Sequence, residues 1–125
     1  MTINPPTTAI ADANATELPK PAPKPTSVTP GQTESALGLW TDGRGADVGY
    51  WECSPGRFAA TRDGYSEICQ ILSGRMTLYP TGAEPIDLGP GSTIVMPEGW
   101  TGDWEIHETV RKLYVVISYP AEPGA

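Results

Sequence analysis

Short runs of β-forming residues, separated by glycine and proline, fill the chain from residue 40 to residue 119. No window shows the sustained apolar period of 3.6 residues that an amphipathic helix requires. Eight runs bounded by turn signals are predicted as strands: Asp47–Cys53, Arg57–Thr61, Ser66–Leu72, Arg75–Tyr79, Pro85–Leu88, Ser92–Met96, Gly102–His107 and Lys112–Ser118. Short strands at near-regular spacing are typical of a sandwich or a barrel, so we predict an all-β fold.

The first 35 residues have a different composition. They contain half of the 14 prolines, one glycine and no aromatic residue. Residues 18–25 alternate proline with small or charged residues, which favours an extended polyproline conformation. Such a segment buries too little apolar surface to offset the entropy of ordering it. We therefore predict a disordered proline-rich arm over residues 1–35, one barrel domain over residues 36–120, and a short tail over residues 121–125.

The charge balance limits the classes of partner. The 125 residues include 15 Asp plus Glu and 8 Lys plus Arg, for a formal net charge of -7. This field repels phosphate backbones, and the basic residues form no cluster, so nucleic acid is not expected. Without a secretory signal pattern or an apolar run of about 20 residues, we expect a cytoplasmic protein with no membrane partner. In that compartment Cys53 and Cys69 are expected to be free thiols.

Two stretches narrow the choice among all-β folds. The first is Trp51–Phe58 (WECSPGRF), followed by Ser66–Leu78 (SEICQILSGRMTL). The second is Leu88–Glu105 (LGPGSTIVMPEGWTGDWE), followed by Val110–Val115 (VRKLYV). Together they resemble the two halves of a cupin, and in particular the branch related to ureidoglycine aminohydrolase. The resemblance implies a small jelly-roll barrel, a double-stranded β-helix, over about residues 40–119.

The same resemblance points to a metal site that lacks its ligands here. Cupins in general hold a divalent metal with two histidines and a glutamate from the first motif and one histidine from the second. The glutamate position, seven residues before Gly74, is Glu67. The paired histidines would fall within residues 60–63, which read Ala-Thr-Arg-Asp, and the second-motif histidine would fall at Gly102. This departure places the family's metal-dependent activity in doubt for this chain.

Other residues offer few replacement ligands. His107 is the only histidine, and strand alternation puts it on the opposite face from Gly102, so we expect it on the outer surface. Glu67 and Cys69 share a face, and Cys53 on a neighbouring strand could complete a Glu-Cys-Cys site, although the spacing does not single it out. We predict no metal and no cofactor.

The face that carries Glu67 is the candidate ligand site, because a small barrel can enclose a cavity. The candidate ligand-binding residues are Trp51, Cys53, Glu67, Cys69, Trp100, Trp104, Arg111 and Tyr114. In an aromatic, partly dry pocket, Glu67 would suit acid–base catalysis or the binding of a cation. Alternatively, Glu67 pairs with an arginine such as Arg57 or Arg75 and stabilises the barrel.

Three of the remaining candidates are open to a second interpretation. Arg111 and Lys112 point to opposite faces of one strand, so one of them reaches the cavity or its rim. Tryptophans such as Trp104 serve small barrels as core residues as well as ligand platforms. A nucleophilic role for Cys53 would require a nearby base, and the only histidine is expected on the other face.

Three functions fit this sequence. The first is a metal-free cupin that binds a small polar metabolite and works as a homodimer. The second is an enzyme of the ureide or amino-acid type implied by the resemblance, with Glu67 as its acid–base group and either an unrecognised metal or no metal. The third is a structural dimerisation module whose proline-rich arm recruits a partner. The sequence does not decide whether the protein is an enzyme, because function resides in the site rather than in the fold.

Overall fold

The fold was analysed in a computed structural model, which describes residues 4–121. A turn of 3-10 helix, Ala13–Ala15, is capped by Asp12, whose carboxylate accepts hydrogen bonds from the amides of Asn14 and Ala15. Eight antiparallel strands follow in chain order: β1 (Ala22–Pro23), β2 (Thr33–Thr41), β3 (Ala46–Cys53), β4 (Gly56–Thr61), β5 (Tyr65–Pro80), β6 (Ile86–Leu88), β7 (Thr93–Met96) and β8 (Thr101–Ser118). The all-β class is therefore confirmed. No helix in the described part of the chain is long and apolar enough to cross a membrane.

The two longest strands, β5 and β8, connect two sheets. They pair along nearly their whole length, from Tyr65 opposite Ser118 to Pro80 opposite Gly102. The first half of β5 and the second half of β8 lie in a sheet with β2, β3 and β7. The other halves lie in a sheet with β4 and β6. The sheets therefore share two strands that bend from one into the other, which gives a barrel.

The strands β5 and β8 are longer than the sequence predicted. Two predicted strands merge into β5 and two others into β8, because the chain continues in strand conformation where the sequence suggested breaks. The register between β5 and β8 shifts between Ile71 and Met76. Gly74 lies within this region at φ +88, and a Cβ there would overlap the Thr109 carbonyl. Gly74 therefore permits a bulge within one continuous strand, where the sequence predicted two strands, Ser66–Leu72 and Arg75–Tyr79.

The segment predicted to be a disordered arm lies against the barrel in the part of it that the structure describes. The predicted domain start at residue 36 falls inside β2, which pairs with β3. One backbone hydrogen bond runs from the Val28 amide to the Arg57 carbonyl of β4. The Ser35 hydroxyl of β2 donates to the Pro19 carbonyl. Proline removes an amide donor but leaves a carbonyl acceptor, and Pro19 uses its carbonyl in this way.

The apolar half of the barrel interior comes from alternate residues of the central strands. Its members are all nearly inaccessible to solvent: Cys53, Cys69, Ile71, Met76, Met96 and Val110. Gly102, Trp104 and Ile106 all face inward along β8, while His107 is exposed. The predicted alternation in this part of β8 is therefore confirmed.

Candidate functional site

An open cavity of about 960 Å³ extends from the other half of the barrel interior to the surface. Residues of β2, β3, β4, β5 and β8 form its walls, together with Lys24 and Thr26 of the segment before β2. The aromatic members are Trp51, Phe58, Tyr65, Trp104 and Tyr114. Its volume lies in the range of small-molecule sites, and its walls combine aromatic surface with a few charged groups, as such sites usually do.

A buried ion-pair triad lies at this cavity. Glu67 is 5% exposed. Its Oε2 accepts a hydrogen bond of 2.6 Å from Lys112 Nζ, and its Oε1 lies 3.1 Å from Arg62 Nη2. The predicted pairing of Glu67 with an arginine is confirmed, but the partner is Arg62 rather than either of the two named examples, Arg57 and Arg75. Arg57 bonds Asp103 at 3.0 Å instead, while Arg75 packs near Gly89.

Local strand geometry explains why Lys112, and not Arg111, reaches the cavity. Lys112 is directly opposite Trp51 on β3 and opposite Ile71 on β5, both of which face inward. Arg111 faces the other way and bonds Glu52 at 2.8 Å. The structure therefore places Arg111, a candidate ligand-binding residue, outside the cavity. Its guanidinium instead donates to the carbonyls of the N-terminal segment, at residues 13 and 16.

The aromatic wall surrounds the ammonium group of Lys112. Trp51 and Trp104 meet edge-to-face with centroids 5.8 Å apart, and Phe58 stacks on Trp104 at 5.8 Å. The Lys112 ammonium lies 4.5 Å from both indole centroids. A second ammonium, from Lys24, lies 4.2 Å from the Phe58 centroid and 5.6 Å from that of Trp51. Cations at these distances are attracted by the negative faces of the rings.

Lys24 reaches the cavity from the segment before β2. Its ammonium donates to Glu34 Oε1 at 3.0 Å, and the same oxygen accepts from Trp51 Nε1 at 2.9 Å. Burial raises the pKa of Glu34, but the hydrogen bonds from Trp51 and Lys24 outweigh it, so the pKa lies below its ordinary value. A single ionised carboxylate thus orients both Lys24 and an indole of the cavity wall.

The two cysteines lie behind the cavity wall. Cys53 and Cys69 are 1% and 2% exposed and belong to the apolar half of the interior. Burial raises the pKa of each thiol to about 11, so both are protonated at neutral pH. Cys53 accepts a hydrogen bond from Gln32 at 3.4 Å. Neither thiol lines the cavity, so the structure does not bring these two candidate ligand-binding residues together with the others.

Trp100 and Tyr114 occupy different positions relative to the cavity. Tyr114 lines it, and Gly49 lies opposite on β3, where a Cβ would collide with the Tyr114 ring. Burial, with the charges of Asp47 and Glu67, raises the pKa of Tyr114. Trp100 does not line the cavity, and its ring centroid lies 5.8 Å from the Arg62 guanidinium.

The residues around Glu67 do not fit the metal site of a general cupin. Arg62 occupies the stretch where the paired histidines would fall, and its guanidinium faces Glu67. A side chain at Gly102 would collide with the Trp100 ring. No group of three His, Cys, Asp or Glu residues that could bind a metal occurs within residues 4–121. Both oxygens of the one available carboxylate already contact cations, which would repel a divalent ion.

The comparisons agree with this barrel architecture. The family model of the EutQ-like cupin domain matches residues 41–114. A putative ethanolamine utilization protein Q from Salmonella typhimurium LT2 is 24% identical, with a TM-score of 0.60 over 70% of this chain and 72% of that one. The Clostridium difficile EutQ protein is 20% identical, with a TM-score of 0.63 over 74% and 68% of the two chains.

An enzyme also shares the fold. Ectoine synthase from P. lautus is 15% identical, with a TM-score of 0.63 over 78% of this chain and 68% of that one. At such identities these structures show the fold alone. No curated protein matches the sequence. The predicted small cupin barrel is confirmed, whereas the finer resemblance to the ureidoglycine aminohydrolase branch stays a prediction.

Proposed function

The chain belongs to the EutQ-like cupin domain family, and on that basis we propose that its barrel binds a small organic molecule without a metal ion. The observation that carries the proposal is the Lys112–Glu67–Arg62 triad at the aromatic cavity. The triad supplies charged hydrogen-bonding groups where other cupins hold a metal. The aromatic walls supply apolar surface for the body of a ligand.

The cavity itself favours ligand binding over a purely structural module. A dimerisation domain has no need of an open cavity of about 960 Å³ beside buried charges. Buried ion pairs add little to stability compared with apolar residues of similar volume, so their presence favours a role beyond folding. A homodimer and a cytoplasmic location remain predictions from the sequence.

Catalysis by Glu67 on a ureide or an amino-acid-like substrate is the second candidate. The burial of this carboxylate beside the cavity favours it. However, both oxygens of Glu67 are engaged, so a substrate must first displace Lys112 or Arg62 to reach them. Binding without turnover requires no such rearrangement, and we therefore rank it first.

The test is a thermal-shift screen of small polar metabolites, with hits followed by tryptophan fluorescence. Trp51→Phe should diminish the fluorescence change caused by a hit, because Trp51 lines the cavity. Trp40→Phe is the matched control, since Trp40 is half exposed and lies outside the cavity. A change abolished by Trp40→Phe and retained in Trp51→Phe would contradict the proposal. NMR spectra of each hit after prolonged incubation would reveal turnover and favour the enzyme.

A further inference from the structure

The charge of the cavity has the opposite sign to that of the whole chain. Three cationic side chains, Lys24, Arg62 and Lys112, face two carboxylates, Glu67 and the adjoining Glu34. Three against two leaves an excess of one positive charge, in a chain with a net charge of -7. We propose that the ligand is a small organic anion, in which a carboxylate or phosphate group is bound by Lys24 and Lys112. This inference rests on the proposed function and names its ligand class.

The two ammonium groups retain unused hydrogen-bonding capacity. Each carries three N–H donors. Within residues 4–121, Lys112 donates only to Glu67 and Lys24 only to Glu34. The buried Arg62 Nε also lacks an acceptor in this part of the chain. A ligand oxygen would supply acceptors to these donors, and charge-assisted bonds of this kind are about twice as strong as neutral ones.

The aromatic rings do not favour a cationic ligand. The faces of Trp51, Phe58 and Trp104 are already covered by the protein's own ammonium groups, at 4.2 to 5.6 Å. An incoming cation would have to displace Lys24 or Lys112 and would meet the excess positive charge. The remaining ring surface can still contact a flat, apolar ligand body. An aromatic or unsaturated anion therefore matches both features of the cavity.

Lys24 makes the segment before β2 part of the binding site. The segment is fastened by the Arg111 hydrogen bonds to its carbonyls and by the Lys24–Glu34 pair. The side chain of Lys24 is 11% exposed and lines the cavity. The exposed Lys20, four residues earlier, carries the same charge but lies outside the cavity. The chain thus provides a matched control for the role of Lys24.

The experiment compares four probes of similar shape by isothermal titration calorimetry of the full chain. These are benzoate, phenyl phosphate, benzyl alcohol and benzylamine. Benzoate or phenyl phosphate should bind at least about tenfold more tightly than the neutral and cationic probes, because a charge-assisted bond contributes energy of that order. The tighter of the two anions identifies the preferred acid group. Added salt should weaken the binding of the anions more than that of benzyl alcohol.

The variants test the assignment to Lys24. Lys24→Met should weaken binding of the preferred anion about tenfold, whereas Lys20→Met should leave it within about twofold. Cavity binding of benzyl alcohol or benzylamine as tight as that of both anions would overturn the inference and leave the proposed function intact. Equal losses in the two lysine variants would also overturn it. If the probes and the metabolite screen all gave no cavity binding, the proposed function would fall as well.

Discussion

The two halves of the barrel interior are built on the same strands but differ in chemistry. On β5 the inward-facing residue changes from Glu67 to Cys69 within two positions, and on β8 it changes from Lys112 to Val110. The apolar half is closed and packed, while the charged half borders the cavity. Stability alone would favour apolar residues throughout. The difference indicates that one half of the interior maintains the fold and the other serves a ligand.

The largest loss of stability is expected in the apolar half. Met76→Ala removes a side chain that is only 1% exposed and should lower the free energy of unfolding by about 3 kcal/mol. Binding of the preferred anion should remain within about twofold, which is below 1 kcal/mol. Urea denaturation and calorimetry provide the two readouts. A large loss of affinity in a folded Met76→Ala protein would contradict the separation of the two halves.

In the charged half, removal of one member of the ion-pair triad should lower the free energy of unfolding by a similar or slightly smaller amount. Lys112→Met leaves Glu67 with Arg62 as its only cation and should destabilise the fold by about 3 kcal/mol. Glu67→Gln should also destabilise it, because two buried cations then lose their carboxylate. Urea denaturation of both single variants measures these costs.

The double variant Glu67→Gln/Lys112→Met distinguishes the energy of the Glu67–Lys112 ion pair from the separate effect of each substitution on packing. Removing both charges should cost less than the sum of the two single losses, although Arg62 still lacks its carboxylate in the double variant. Anion binding should nevertheless be weaker than in the unaltered protein, since Lys112 is absent. If the double variant were as unstable as the sum of the single ones, the pair would not be coupled as the structure indicates.

The cysteines of the apolar half should react slowly with alkylating reagents. A pKa of about 11, against an ordinary value of 9.0, lowers the thiolate fraction at pH 8 about a hundredfold. Burial adds to this protection. Stability should also fall as the pH rises from 9 towards 11, because the unfolded thiols ionise before the folded ones. Iodoacetamide labelling, followed by mass spectrometry with and without denaturant, measures the effect, and rapid labelling of the folded chain would contradict it.

The smallest effect is expected at the rim of the charged half, at Glu34. Its pKa is lower in the folded chain, so its contribution to stability is present above the ordinary value of 4.5 and is lost as the pH falls through the folded value. Because Glu34 is partly exposed, we expect less than about 1 kcal/mol. In Glu34→Gln the melting temperature should therefore fall less between pH 6 and pH 3 than it does in the unaltered protein. An unchanged pH dependence in that variant would contradict the assignment.

Sequence reasoning recovered the strand faces better than the strand ends. Alternation correctly placed Glu67 and Cys69 on the same strand face, and His107 and Gly102 on opposite faces. It succeeded because the two-residue period of side chains in a strand is a local property. Merging of the strands in β5 was missed, since Gly74 reads as a turn whether it closes a hairpin or permits a bulge. The distinction depends on the approach of Thr109 from β8, which a local pattern does not contain.

The charges of the cavity were harder to predict than its aromatic walls. Trp51, Trp104 and Tyr114 follow from their position on inward faces, whereas Lys24 follows from no pattern, because the proline-rich composition around it argued against contacts with the barrel. Alternation could assign one of Arg111 and Lys112 to the cavity but not say which. Such pairings depend on contacts between residues distant in sequence.

The central claim is that two cations take the place of a metal beside Glu67. Inductively coupled plasma mass spectrometry of the full chain, produced in medium supplemented with manganese, iron, nickel and zinc, tests it most directly. We predict metal far below one equivalent per chain, unchanged in Glu67→Gln. Near-stoichiometric metal in the unaltered protein that disappears in Glu67→Gln would contradict the account, because Glu67 would then be a metal ligand rather than the partner of Lys112 and Arg62.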